Sequence, residues 1–251
     1  MCDDTDLKER LRLQYLDAMG IPVWELRRPP AELSAEPAPP PAATECGPEM
    51  PARESPVSKT PATDDWDSLA AEVSACTRCE LHCTRTQTVF GVGNRRATWM
   101  VIGEAPGEQE DLQGEPFVGR AGQLLNEMLR AIGLKREDVY IANVLKCRPP
   151  RNRDPKPEEA EACESYLKRQ IALLRPRVIL AAGRIAAQNL LKTNEAIGKL
   201  RGRVFQYEGI PLVITYHPAY LLRSPLEKRK AWQDLLLAVE TLNKSQVPLS
   251  S

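Results

Sequence analysis

The chain has 251 residues, with 34 Lys+Arg against 34 Asp+Glu, two His, seven Cys and 22 Pro. Zero net charge argues against a nucleic-acid binder, whose domains carry a basic surplus. The zero is a sum of unlike halves, because residues 1–70 hold 7 basic against 14 acidic groups and residues 71–251 hold 27 against 20. No apolar run reaches the roughly 18 residues of a membrane-spanning helix, so no membrane association is expected.

The start, MCDDTDLKER, is acidic and unlike a signal or transit peptide, so a cytoplasmic location is expected. Leu7, Leu11, Leu13, Leu16 and Met19 recur at helical spacing, and Gly20 stops the helix. Ile21, Trp24 and Leu26 come next in IPVWELRRP, as a local apolar cluster or a docking peptide, completing a first segment of residues 1–28. Ten of the 22 prolines fall between Pro29 and Pro61, and residues 29–70 read as a disordered, acidic linker. Residues 71–245 suit one folded domain, and 246–251 form a tail. Within that domain, strands are predicted at Thr98–Gly103, Val139–Leu145, Val178–Ala181, Val204–Tyr207 and Leu212–Thr215. Helices are predicted at Arg120–Ile132, Pro157–Leu174, Arg184–Leu191 and Leu226–Leu242. The alternation implies a three-layer α/β/α sandwich around a mostly parallel four-stranded sheet. Ligands of such sheets bind beyond the carboxyl ends of the strands.

The segments after the strands carry the chemistry. The first strand leads into Gly103-Glu-Ala-Pro-Gly107 with Glu108 to Asp111, the second into Lys146, Cys147 and Arg148, and Leu212–Thr215 into Tyr216-His217-Pro218. No phosphate-cradling GxxxxGK[ST] or complete GxGxxG is present, which argues against a nucleotide motor or dehydrogenase. Cys76-x-x-Cys79, Cys147 and Cys163 can close a four-thiolate site; the chemistry alone permits zinc or iron–sulfur, though the spacing is not the repeated CxxC of a zinc ribbon. Cys83 is a further candidate, and His82 reads as solvated or supporting. Basic clusters occur at Arg148, Arg151, Arg153 and Lys156, at Lys199, Arg201 and Arg203, and at Arg223, Lys228, Arg229 and Lys230. Each alone suits a solvated face; together they suit a phosphate backbone.

GEAPGEQED (103–111), GEPFVGRAGQLL (114–125), VYIANVLKCRPPRNRDP (139–155) and HPAYLLR (217–223) resemble the family 4, iron–sulfur uracil-DNA glycosylases over residues 71–242. The resemblance implies a [4Fe–4S] cluster on Cys76, Cys79, Cys147 and Cys163. It also implies monofunctional excision of uracil from DNA, in a nucleoid-associated monomer. Gly103, Glu104, Ala105, Pro106 and Gly107 would line the uracil pocket, Phe117 would stack on the flipped base, Asn143 would read its edge and His217 would face its O2. Glu110 resembles a further acidic site residue of the family. Better-known uracil glycosylases carry a water-orienting Asp where this chain has Ala105, so that role falls to Glu104. RNRDP stands where a DNA-trapping relative carries a His-bearing insertion, so no covalent trapping is expected. Arg148, Arg151 and Arg223 would meet DNA, with Tyr220 or Leu221 as a wedge. YLDAMGIPVWELRRP (15–29) is similar to the start of the DNA polymerase III psi subunit, which implies that the chi subunit is a partner and leaves an alternative: a replisome interaction protein on a glycosylase fold, its activity secondary or lost.

Overall fold

Alternation along the strands builds the layers. In β2 (Trp99–Gly103), Met100 and Ile102 enter one buried cluster while Trp99 and Val101 enter another. The same alternation holds in β3 (Tyr140–Asn143), where Tyr140 and Ala142 oppose Ile141, and in β4 (Val178–Ala182), where Ile179 and Ala181 oppose Val178, Leu180 and Ala182. Strands apolar on both faces must be covered on both faces, which is the signature of a parallel sheet between helices. The helices α4 (Pro157–Leu174) and α5 (Arg184–Leu191) cover the first face, and α3 (Arg120–Ala131), α7 (Pro218–Arg223) and α8 (Lys228–Lys244) the second.

The computed structural model describes residues 65–244, all within one unit spanning residues 51–251. The predicted helix at 5–19, the Ile21–Trp24–Leu26 peptide, nearly all of the linker, and the tail lie outside the described residues.

The sheet has the order β1-β3-β2-β4-β6-β5 among the described residues. The four-stranded parallel core is as expected, and β6 (Ile210–Thr215) completes it. The strand count is corrected to six by two antiparallel edges, β1 (Val92–Gly93) on β3 and β5 (Val204–Tyr207) on β6. Strand β1 leaves no sequence signal because its two residues sit in a Gly-rich stretch with no apolar alternation. The linker boundary also moves. Helix α1 (Trp66–Ser74) starts inside the segment assigned to the linker, capped by the Asp65 carboxylate, which accepts from the Asp67 and Ser68 amides at 3.0 and 2.7 Å. Helices α2 (Glu108–Gln113) and α6 (Ile197–Leu200) add elements that the sequence pattern does not predict, and α8 begins at Lys228 because a 3₁₀ turn occupies Pro225–Glu227.

Register places the site. Gly103 pairs with Asn143 and Ala182 with Thr215, so the carboxyl ends of all four parallel strands finish level. Their exits are bonded together: Val144 N–H donates to the Gly103 carbonyl at 3.0 Å, and Gly183 N–H to the Thr215 carbonyl at 2.8 Å.

Candidate active site

A cleft of about 750 Å³ opens over these strand ends, lined by Glu104, Ala105, Pro106, Gly107, Glu110, Phe117, Asn143, His217, Tyr220 and Arg223. The residues expected around the base are therefore brought together, except Gly103, which is buried outside the lining, against Asn143 and Phe117. A side-chain carbon at Gly103 would lie 2.4 Å from Asn143 Oδ1 and 2.7 Å from the Phe117 ring, so only hydrogen lets these two groups converge. Asn143 is 2% and Phe117 6% exposed. Phe117 takes φ 55°, a conformation costly for a bulky residue and characteristic of functional loops. Its ring stacks on His217 with centroids 5.5 Å apart.

Two groups clamp the loop that carries Phe117. Arg136 donates to the Pro116 carbonyl at 2.5 Å and to the Phe117 carbonyl at 3.3 Å. Glu110 accepts from the Gly107 amide at 3.1 Å through one oxygen, and from Val118 and Gly119 at 3.1 and 3.4 Å through the other. Glu110 lines the cleft as expected, but its carboxylate is spent on joining the Gly107 turn to the Phe117 loop.

His217 is poised as a neutral donor. Burial pushes it down to about 4, with the Arg223 charge acting in the same direction and Glu110 opposing. Its Nδ1 accepts from the Ala219 amide at 3.1 Å, so the ring proton of the neutral form resides on Nε2. Gly183, at φ 107°, makes room for the ring; a side-chain carbon there would lie 2.9 Å from His217 Cβ. Glu104 has the opposite tuning. Burial, then the negative charge of Asp154, pushes it up to about 7, with Arg184 opposing.

Asp154, Arg184, Ile185, Ile197 and Tyr216 also line the cleft, and the sequence reading does not single them out for this role. Arg184 pairs with Asp154 at 2.7 Å. The Asp-Pro after the arginine run is the available signal for Asp154; Arg184 and Ile197 reach the cleft only through tertiary placement.

The expected DNA-facing residues divide. Tyr220 is exposed at the cleft rim, but Leu221, on the inner face of α7, is 1% exposed in the core. Leu221 is therefore corrected from wedge to core residue; Leu222 is the leucine of this loop that reaches solvent. Arg151 and Arg223 are exposed, while Arg148 is half-buried and donates to Asn152 Oδ1 at 2.7 Å. Several other cations are already paired: Arg153 with Glu159 at 2.5 Å, Arg201 with buried Asp234 at 2.8 Å and Lys230 with Glu227 at 2.8 Å.

Cys76, Cys79, Cys147 and Cys163 line a second, small cavity with Arg85, Lys146 and His82, and Ala105 packs against the buried cluster that holds Cys147 and Cys163. None of the four is in a disulfide, and Cys83 is exposed and outside the lining. Arg85 donates to Cys147 Sγ at 3.1 Å. Burial pushes the Cys163 thiol up to about 11, so a thiolate there needs a cationic partner. Among the described residues, no three His, Cys, Asp or Glu side chains are grouped so as to hold a metal ion.

The model of the uracil DNA glycosylase superfamily matches residues 90–236. The chain is 47% identical to the type-4 uracil-DNA glycosylase of Archaeoglobus fulgidus, covering 74% of this chain and 98% of the relative. This chain belongs to the type-4 uracil-DNA glycosylase family. Identity is 43% with the type-4 member of Saccharolobus solfataricus, over 75% of this chain and 91% of that one, and 49% with that of Thermotoga maritima, over 62% and 82%. The superfamily match spans β1 through most of α8, and so includes every strand of the sheet and every residue of the cleft.

Proposed function

We propose that this chain hydrolyses the N-glycosidic bond of uracil in DNA, releasing the free base and leaving an abasic site that starts base excision repair. The observation that carries the proposal is the convergence of Phe117, Asn143, a neutral His217 and a half-buried Glu104 in one cleft at the strand ends. A base inside a duplex must first be flipped, at a cost of roughly a few kcal/mol. The Phe117 face offsets part of it, since base–aromatic stacking is worth about 1–3 kcal/mol. The Asn143 amide offers a donor and an acceptor in fixed geometry and so distinguishes uracil from cytosine. As the C1′–N1 bond breaks, the electron pair passes to the uracil ring, and His217 Nε2–H donates to the oxygen where the charge gathers. A neutral donor is apt here because it stabilises the uracil anion without handing over a proton that would have to be recovered. Water adds to C1′, and Glu104, as carboxylate, takes its proton. Glu110 and Arg136 hold the walls in register.

The four cysteines fit a [4Fe–4S] cluster by donor chemistry: four thiols around one cavity, with Arg85 and Lys146 to offset their charge. When bound, the cluster supplies a rigid link among the segments bearing Cys76, Cys79, Cys147 and Cys163. No helix among the described residues is long and apolar enough to cross a membrane. Our reading is of a cytoplasmic, nucleoid-associated monomer, with the Trp24 peptide as a tether to the chi subunit that leaves the chemistry untouched. The test is an oligonucleotide with one uracil, incubated without magnesium or nucleotide: a strand break at uracil after alkali is expected, and an intact strand would sink the reading.

A further inference from the structure

A buried lysine stands between the cysteine cavity and the base-reading strand end. Lys146 is 1% exposed. Its Nζ donates to the Asn143 backbone carbonyl at 2.8 Å and to Gln170 Oε1 at 2.7 Å. Gln170 is itself fixed, its amide nitrogen donating to the Phe90 carbonyl at 2.8 Å and to the Tyr140 hydroxyl at 3.2 Å. Both acceptors of the ammonium are neutral, and no ion pair with a carboxylate forms at Nζ among the described residues. A buried ammonium without a counter-charge is strongly disfavoured, because burial strips its hydration without replacing it. The groups available to balance it are in the cavity that Lys146 helps to line: Cys147, its chain neighbour, and Cys163, both buried, with Cys76 and Cys79, both half-buried. Arg85 also lines that cavity and donates to Cys147 Sγ at 3.1 Å.

We propose that Lys146 is a positioning residue coupling the four-cysteine centre to base recognition: its ammonium offsets the negative charge held there, and its hydrogen bond to the Asn143 carbonyl fixes the strand end that carries the reading amide. The coupling runs through one residue, which lines the cysteine cavity and whose ammonium holds the Asn143 carbonyl. The carbonyl it holds belongs to Asn143, the last residue of β3, whose side chain packs over Gly103. This inference rests on reading the four cysteines as cluster ligands.

The test uses the anaerobically purified full chain and Lys146→Met. Iron and sulfide per chain are measured, then the bleaching rate of absorbance near 400 nm under an iron chelator, then kcat and KM for uracil release. Bleaching is expected to be at least about tenfold faster, the scale of losing one hydrogen-bonded charge, with a comparable fall in kcat and little change in KM. Lys146→Arg keeps the charge but cannot place one nitrogen between the two acceptors. It is expected to bleach near the wild-type rate while kcat stays depressed. Should Lys146→Met not fold, Lys146→Arg and Gln170→Leu decide: both keep the charge, and slow bleaching with lowered kcat supports the coupling. A Lys146→Met holoprotein that bleaches at the wild-type rate overturns it, whatever its kcat, and wild-type kcat in Lys146→Arg and Gln170→Leu overturns the positioning. Wild-type protein lacking iron and sulfide overturns the cluster reading, and this inference with it.

Discussion

Replacing Glu104 by Gln separates the cost of a buried carboxylate from its use. Its pKa is pushed from 4.5 to about 7, chiefly by burial. The folded state therefore holds a proton more tightly than the unfolded chain, and stability falls as pH rises from about 4.5 through 7. The shift corresponds to about 3 kcal/mol, fully expressed above about pH 8 and absent below about pH 4. Glu104→Gln removes that cost, so its melting temperature is expected to exceed the wild type at pH 8 and to match it near pH 4. Activity moves the other way. With a pKa of about 7 the carboxylate is about 9% ionised at pH 6 and about 91% at pH 8, so wild-type kcat/KM should rise about tenfold between them. An ordinary glutamate at 4.5 would give a flat profile over that interval. His217, at about 4, stays neutral throughout and contributes no slope. The assay is uracil release at low substrate across pH 5.5–8.5, paired with thermal melts. A flat wild-type profile, or a Glu104→Gln protein that keeps wild-type kcat, would refute the assignment of Glu104 as the water's base.

The same geometry sets three further outcomes. His217→Ala should lower kcat by about 10²–10³, the scale of losing one donor to developing negative charge, with unchanged circular dichroism; an unchanged rate would misplace the anion site. Glu110→Gln places an amide donor against backbone N–H groups and should reduce kcat about tenfold or more through the loosened Phe117 loop; retained kcat would show the clamp to be dispensable. Leu221→Ala should destabilise by about 2–5 kcal/mol with DNA affinity kept below its melting temperature, whereas Tyr220→Ala should weaken DNA binding without lowering the melting temperature. The reverse pattern would restore Leu221 as the wedge.

Much of the fold is legible in the residues themselves. Helices Pro157–Leu174 and Arg184–Leu191 match their sequence-derived bounds, because Pro157 at the first turn, the acidic start and the apolar periodicity agree with one another. The parallel core is legible because each of its strands is apolar on both faces. Trp66–Ser74 is not, since its apolar face is short and abuts a proline-rich stretch; the Asp65 cap is the signal that marks it. Residue type alone cannot show that the Glu110 oxygens are taken by backbone amides, nor that Leu221 points inward while Leu222 does not. Asp154 and Arg184 enter the cleft through crossovers that bring distant segments to one sheet edge, and no local spacing encodes that.

The central claim is most directly tested by quantifying free base released from matched oligonucleotides bearing one uracil, cytosine or thymine at the same position. Stoichiometric free uracil and an equal number of abasic sites, with no release of cytosine or thymine, is the result expected. Folded protein that leaves the uracil strand unchanged, or releases the three bases alike, would contradict the account.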